Sequence, residues 1–271
     1  MVARGGASAR DGRTIGRGVS GPARLAGKRV WVTGAGRGIG GTVADAFVAE
    51  GAAVVGIDQE FGTAAAGIDA RACDLGQAEA IDRLCDALLD AGHEPDVLVH
   101  AAGVLRVGGI EQLTHADWSA CMAINAGAAF HLLRRLTPVF RRRRAGSIVA
   151  VASNAAHVPR VGMAAYGASK AALASLVRSV GLELAPLGVR CNLVSPGSTD
   201  TPMLRGIAAD GQDAVALAVA GDPGRFRLAI PLGKVAAPSD IAAAILFLAS
   251  DQAGQITLHD LVVDGGAALG A

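Results

Sequence analysis

The sequence predicts an α/β fold: a single doubly wound domain with a mainly parallel sheet of seven strands. Three observations carry this expectation. Short apolar runs alternate with stretches of helical apolar spacing from about residue 27 to 271, and that alternation implies right-handed crossovers and a parallel sheet. A glycine-rich turn, Thr33-Gly-Ala-Gly-Arg-Gly-Ile-Gly40, lies between the first such run and the first such helix. Hydrophobic residues make up 51% of the chain but aromatic ones only 3%, so the core must be built from Ala, Val, Leu and Ile.

Taken in order, Arg29 to Val32 reads as a buried strand, and Gly41 to Glu50 as a helix through Val43, Ala44, Phe47 and Val48. Ala53 to Ile57 is the second strand, ending in Asp58. Ile68 to Ala72 is the third, followed by Cys73-Asp74-Leu75 and a helix from Ala78 to Ala91. Asp96 to His100 forms a fourth strand ahead of Ala101-Ala102-Gly103. One long helix is expected from Asp117 to Arg144, holding Asn125 and closing on Arg141 to Arg144, cations that complement its dipole. Ser147 to Ala152 delivers Ser153, and the helix from Ala165 to Ala185 carries Tyr166 and Lys170. Val189 to Ser195 is the sixth strand. Ser239 is expected to cap a helix running to about Ser250, and Asp260 to Val263 is the last strand. Ligands of such sheets bind beyond the carboxyl ends of the strands.

Residues 1 to 26 stand apart. They are rich in Gly, Ala, Ser and Arg, with a single acid, Asp11, and they read as a flexible extension that buries too little to offset its ordering entropy. A net charge of +1 gives no reason to expect a nucleic-acid or anionic-membrane partner, and no apolar run has the length of a membrane span. Cys73, Cys85, Cys121 and Cys191 show neither a Cys-x-x-Cys pair nor metal spacing, so no metal is expected. They read as buried reduced thiols of a cytoplasmic protein.

The chemistry concentrates in Tyr166-Gly-Ala-Ser-Lys170, thirteen residues after Ser153. A phenol with an ordinary pKa of roughly 10 is a poor base. An ammonium at i+4 shares its helix face and would stabilise the phenolate. A serine from a neighbouring strand end would hold an alcohol or carbonyl oxygen beside it. These are the parts needed to take a proton from an alcohol while its hydride leaves for a nicotinamide. In the glycine turn, Gly34, Gly38 and Gly40 let the backbone approach a pyrophosphate resting on the helix N-terminus. Asp58 follows Gly40 by 18 residues, the place of an acid that binds the adenosine ribose hydroxyls. It would repel a 2′-phosphate, whereas Arg37 could pair with one. Asp58 sits directly against the ribose and outweighs Arg37, so the expected cofactor is NAD.

With these residues in place, the chain from about Leu25 to Ala271 resembles the short-chain dehydrogenase/reductases, a Rossmann-fold family. The glycine turn, Asp74, Ala101-Ala-Gly103, Asn125, Ser153, Tyr166-x-x-x-Lys170 and Pro196-Gly197…Thr201 follow that family's order and spacing. The resemblance implies that Tyr166 is the acid/base and that Ser153 binds the reacting oxygen. It implies that Lys170 lowers the tyrosine pKa and holds the nicotinamide ribose, and that Asn125 holds a water relaying the proton. It places Asp74 and Leu75 at the adenine and Thr201 at the nicotinamide. Ile39, Ala101, Gly103, Pro196, Gly197 and Thr199 complete the cofactor contacts. His100 departs from the asparagine usual there, which puts a local inter-strand hydrogen bond in doubt. The helices equivalent to that of Tyr166 build a four-helix interface in the family, and the small residues from Ala164 to Ala174 suit close packing. A homotetramer is the expectation.

Further stretches resemble one subfamily, the 2,3-dihydro-2,3-dihydroxybenzoate dehydrogenases of siderophore biosynthesis. They include Gly56-Ile-Asp-Gln59, Ala101-Ala-Gly-Val-Leu-Arg106, Ala155 to Met163, Ser195 to Thr201, Ile230-Pro-Leu-Gly-Lys234 and Val263-Asp-Gly-Gly266. The substrate so implied is an anionic cyclohexadiene diol carboxylate. Its carboxylate needs a cation, and Arg160 and Arg106 could each give a bidentate pair, with His157 as a further donor. Met163 and Leu105 could pack on the ring. The alternatives are another oxidoreductase of the same family, acting on a ketoacyl or sugar-alcohol substrate, and a non-catalytic nucleotide sensor on the same scaffold.

Overall fold

A computed structural model describes residues 24–62, 66–207 and 211–270. Seven strands form one sheet: β1 (Arg29–Thr33), β2 (Ala53–Asp58), β3 (Ile68–Ala72), β4 (Val97–His100), β5 (Gly146–Val151), β6 (Val189–Pro196) and β7 (Asp260–Val263). Their order is β3-β2-β1-β4-β5-β6-β7 and every pairing is parallel. The chain winds outward from β1 through β3, then returns to the other side of β1 as β4. That reversal opens a crevice at the carboxyl ends of β1 and β4, where a ligand of a doubly wound sheet belongs.

Strand side chains alternate between two buried faces. Trp31, Leu98 and Ile148 enter one layer, beneath α2 (Ala78–Asp90), α4 (Ala128–Arg143) and α5 (Ala164–Leu184). Val30, Val32, Val97 and Val149 enter the other, beneath α1 (Gly38–Ala49) and α8 (Pro238–Ala249). Large residues are spent sparingly: Trp31 and Phe140 fill the first layer and Phe47 the second. A fully buried leucine such as Leu132 contributes roughly 1.5–3 kcal/mol by burial alone.

The expected helix from Asp117 to Arg144 is in fact three pieces. α3 (His115–Cys121) starts at Thr114, whose hydroxyl accepts from Asp117 N while the Asp117 carboxylate accepts from Thr114 N, both at 3.1 Å. A π-turn over Met122–Gly127 then holds Asn125, and α4 follows. The extra residue per turn re-aims the Asn125 side chain inward, the sort of feature that marks functional sites. Two helix starts also differ from expectation. α1 begins at Gly38 rather than Gly41, so the glycines form its first turn. Ser239 does not cap α8: Asp240 accepts from Ala237 N at 2.9 Å, and Pro238 takes the first helical position.

Most of the expected N-terminal extension, residues 1–23, lies outside the described residues. Its end belongs to the fold. Arg24 bonds the Glu50 carboxylate through its backbone N at 2.9 Å, and Leu25 is 2% exposed against the second core layer. Leu25 brings an apolar side chain that the core covers, so Arg24 and Leu25 pack with the domain. Two short helices, α6 (Pro202–Arg205) and α7 (Ala214–Ala220), fall between β6 and α8. Among the described residues no helix is long and apolar enough to cross a membrane. All four cysteines are free and buried.

Candidate active site

The carboxyl ends of the strands bring the motif residues to one crevice. Gly34 adopts φ +72°, and a Cβ there would fall 2.8 Å from the Ala102 backbone. A Cβ on Gly40 would fall 2.1 Å from Gly34 O. Only glycine lets β1, α1 and the turn after β4 approach this closely. The N-cap of α1, Arg37, makes no side-chain capping bond, so the helix dipole and its first N–H groups face the crevice uncapped. Asp58 accepts from Gly36 N at 2.9 Å and from Gln59 N at 2.7 Å, which ties the acid at the end of β2 to the glycine turn. Gly36 has no room for a side chain either, since a Cβ there would lie 2.1 Å from Glu60 O. Arg37 is exposed. Asp74 accepts from Gly76 N at 2.9 Å beyond β3. The Leu75 side chain is in the core, so only its backbone reaches the crevice. The glycine cradle, the uncapped helix and the tethered acid fit a dinucleotide.

Next to it lies a cavity whose wall includes Ile39, Ala101, Gly103, Ser153, Tyr166, Lys170, Pro196, Gly197, Thr199 and Thr201. Ser153 is buried at the end of β5, where its Oγ accepts from Ala155 N at 3.1 Å and hydrogen-bonds the Tyr166 phenol. Lys170 is 3% exposed. Its Nζ donates to Val151 O at 2.8 Å and stands 5.9 Å from the Tyr166 ring centroid. Burial pushes the Lys170 ammonium down to about 8. Burial pushes the Tyr166 phenol up, with the Ser153 hydrogen bond pulling it partly back. The ammonium spends its bond on the Val151 carbonyl, and the serine is the group that favours the phenolate.

Asn125 is buried beside this pair. Its Oδ1 accepts from Val104 N at 2.7 Å, while its Nδ2 donates to Val104 O at 3.0 Å and Ser169 Oγ at 2.9 Å. Ser169 Oγ in turn donates to Tyr166 O at 2.8 Å. Its amide hydrogens fix the loop after β4 and the catalytic helix, so a water at Asn125 would have to donate to one of its oxygens. His100 keeps the inter-strand tie that its departure from asparagine put in doubt: its Nδ1 lies 3.0 Å from Thr33 Oγ1, which accepts from Ala102 N at 3.2 Å. Burial holds His100 down at about 3, and the nearby Lys170 charge acts in the same sense, so the ring is neutral.

Of the four residues expected to meet substrate, two are in the cavity and two are not. Arg160 and Met163 line it, with Leu105. Arg106 turns outward to Asp117, at 3.3 Å, because the capping box of α3 places that carboxylate on the outer side of the loop. His157 also faces away: its Nε2 bonds Asp260 at 2.8 Å, in a separate hollow with Arg178 on the outer face of α5. Arg160 makes no side-chain hydrogen bond or ion pair among the described residues. Its pKa is lowered by burial first and then by the charge of Arg227. Sequence reasoning missed Arg227, Leu228, Ile230 and Met203, which come from the β6–α8 connection to complete the wall. It also missed Asn154, which donates to Asp264 at 3.1 Å and so ties the floor of the cavity to the segment after β7.

Comparison with known proteins agrees with this geometry. The family profile described as Enoyl-(Acyl carrier protein) reductase matches residues 34–268. The chain is 53% identical over 247 residues to the 2,3-dihydro-2,3-dihydroxybenzoate dehydrogenase of Escherichia coli, covering 91% of this chain and 99% of that protein. It is 41% identical over 256 residues to the vibriobactin-specific 2,3-dihydro-2,3-dihydroxybenzoate dehydrogenase of Vibrio cholerae, covering 90% and 97%. The ligand-free aldohexose dehydrogenase of Thermoplasma acidophilum superposes with a TM-score of 0.83 at 31% identity, over 93% of this chain and 98% of that one.

Proposed function

The chain belongs to the short-chain dehydrogenase/reductase family, and from that premise we propose that it oxidises 2,3-dihydro-2,3-dihydroxybenzoate to 2,3-dihydroxybenzoate with NAD, a step of catechol siderophore biosynthesis. The observation that carries this reading is Arg160, which has no ion pair among the described residues, in the same mainly apolar cavity as Ser153, Tyr166 and Lys170. A substrate that needs both an alcohol-oxidising centre and a cation for a nearby carboxylate fits that cavity, and the 53% identical relative bears the corresponding name.

NAD, when bound, supplies the hydride acceptor and a positively charged ring beside the phenol. Gly34, Gly38 and Gly40 let its pyrophosphate reach the N-terminus of α1, and Asp58 takes the ribose hydroxyls, which favours NAD over NADP. Lys170, released from Val151, is placed for the second ribose. The ring carboxylate sits on Arg160, with Met163 and Leu105 against the ring. The Ser153 hydroxyl holds the carbinol oxygen, and the Tyr166 phenolate takes the O–H proton as the C–H hydride leaves. The resulting ketone tautomerises, giving up a ring C–H proton while its oxygen takes one up, and becomes the catechol, so aromatisation draws the reaction forward. Water has to be excluded while this happens, and the side chains of Leu228 and Ile230 close the apolar wall.

The same reading includes a homotetramer in the cytoplasm. α5 leaves Leu182 64% exposed beside small residues on its outer face, which suits helix-on-helix association, and four buried free thiols suit a reducing compartment. Light scattering of the pure protein tests the assembly. The activity is tested by incubating the protein with the dihydrodiol acid and NAD. One 2,3-dihydroxybenzoate per NADH is expected. NADH formation from sugar alcohols with none from the diol acid would overturn the assignment.

A further inference from the structure

Arg227 has no part in the oxidation described above, yet its position is built with some care. The Asp222–Arg227 turn is closed by two backbone bonds, Asp222 N to Arg227 O at 2.8 Å and Arg227 N to Asp222 O at 2.9 Å. Phe226 inside the turn takes a left-handed φ of +54°, and Gly221 before it sits at φ +72° with its Cα so close to the next strand of chain that a Cβ would lie 2.5 Å from Ala229 N. A backbone pinned this tightly fixes the direction in which residue 227 leaves it. The guanidinium enters the cavity, where Nη2 donates to Ala218 O at 3.2 Å and to Ser198 Oγ at 3.4 Å. Those bonds occupy one nitrogen and leave the others without a partner among the described residues.

The second observation is what stands opposite. Arg227 is near enough to Arg160 for its charge to destabilise the Arg160 cation. Among the described residues no carboxylate pairs with either of these half-buried guanidiniums, so they repel each other unless an anion joins them. Asp264 is the acid nearest in effect to Arg160, but its oxygens already accept from Asn154 Nδ2, Gly266 N and Ala268 N at 2.8–3.1 Å. It is therefore held as a structural acceptor. The pair keeps a net positive charge inside a wall that is otherwise mainly apolar.

We propose that Arg227 is a specificity-determining residue, a second arm that grips the substrate carboxylate from the β6–α8 connection while Arg160 grips it from the loop before α5. The inference rests on the substrate reading above and extends it. One arginine fixes a carboxylate in a plane; two from separate segments also fix its distance from Tyr166, which decides which ring carbinol meets the phenolate. Neutral diols lack the group that both arms hold, so they enter without that alignment.

Steady-state kinetics of the full-length protein with NAD would test this on two substrates, the dihydrodiol acid and the same diol without its carboxyl group. Arg227→Ala and Arg227→Gln are compared with wild type. The glutamine keeps a donor for Ala218 O and Ser198 Oγ and so preserves the turn if alanine does not. Both variants should raise KM for the acid on the order of ten- to a hundredfold, with the neutral diol changed less than about threefold. Arg227→Lys should recover part of the loss, since the ammonium lacks the planar fork. An equal change on both substrates, or no change on the acid, overturns the assignment of Arg227 while wild-type turnover of the acid leaves the substrate reading standing. Wild type inert towards the acid overturns the substrate reading and this inference together.

Discussion

Replacing Lys170 by methionine while the pH is stepped isolates the charge that burial makes costly. Lys170 is 3% exposed and has no ion pair among the described residues, only its bond to Val151 O at 2.8 Å. In the unfolded chain a lysine keeps its proton to about pH 10.5, whereas burial lets this one go at about 8. Between those values the unfolded state holds more protons, so stability rises with pH across that window and is depressed by the full amount below it. The gap of about 2.5 in pKa, at 1.36 kcal/mol for each, corresponds to roughly 3 kcal/mol. Methionine is close in length and carries no charge, so its protein has no such dependence. Urea unfolding of both cofactor-free proteins, at one protomer concentration from pH 7 to 10.5, measures the effect, and the difference cancels every other titrating group. Wild type should gain roughly 3 kcal/mol on Lys170→Met across that range. Parallel curves would refute a buried, unpaired ammonium in the resting site.

Three further outcomes follow from the same geometry. His100→Asn should remove an acid-side loss: with the folded ring held down at about 3, wild type loses stability as pH falls from about 6.5 towards 3, and the variant, which has nothing to titrate there, should lose less in acid unfolding curves. Asp58→Ala gives up the 2.9 Å bond to Gly36 N and the charge facing a 2′-phosphate, so the ratio of kcat/KM for NAD over NADP should fall by on the order of tenfold or more; a native preference for NADP would contradict the role given to this acid. Arg160→Ala should lower kcat/KM for the dihydrodiol acid by about ten- to a hundredfold, and an uncharged cyclohexenol should be turned over equally slowly by both proteins.

What the sequence made legible was whatever depends on local pattern. The inner strands could be read because they are short apolar runs that both helix layers cover, and alternation along β1 sends Trp31 to one layer and Val30 and Val32 to the other. Gly34, Gly40, Ser153, Tyr166 and Lys170 could be read because their spacing is fixed by a strand end or a single helical turn. Side-chain direction in loops was not legible. Arg106, Arg160 and His157 all sit on loops near the catalytic helix, yet Arg106 is drawn out by Asp117 and His157 by Asp260, partners 11 and 103 residues away. Of the three only Arg160, which makes no ion pair among the described residues, stays in the cavity. Arg227 gave no local signal at all. It reaches the site because the turn at Asp222 folds the β6–α8 connection back, and that depends on contacts with Ala218 and Ser198. The π-turn at Asn125 was hidden for a similar reason: helical periodicity continues through it, and the cause is an amide bonded to Val104 and Ser169. Helix spacing puts Lys170 and Tyr166 on one face, but it carries no sign of the ammonium's bond to the Val151 carbonyl on β5.

The central claim is that Tyr166, held by Ser153 and carried on α5, takes the proton as the diol acid is oxidised. Tyr166→Phe removes one hydroxyl and keeps the ring that packs in the cavity. With the dihydrodiol acid and NAD, turnover should fall by at least about a thousandfold, while NAD affinity, read by calorimetry, stays within about twofold of wild type. Turnover near the wild-type rate in the phenylalanine protein would take Tyr166 out of the chemistry and contradict the account.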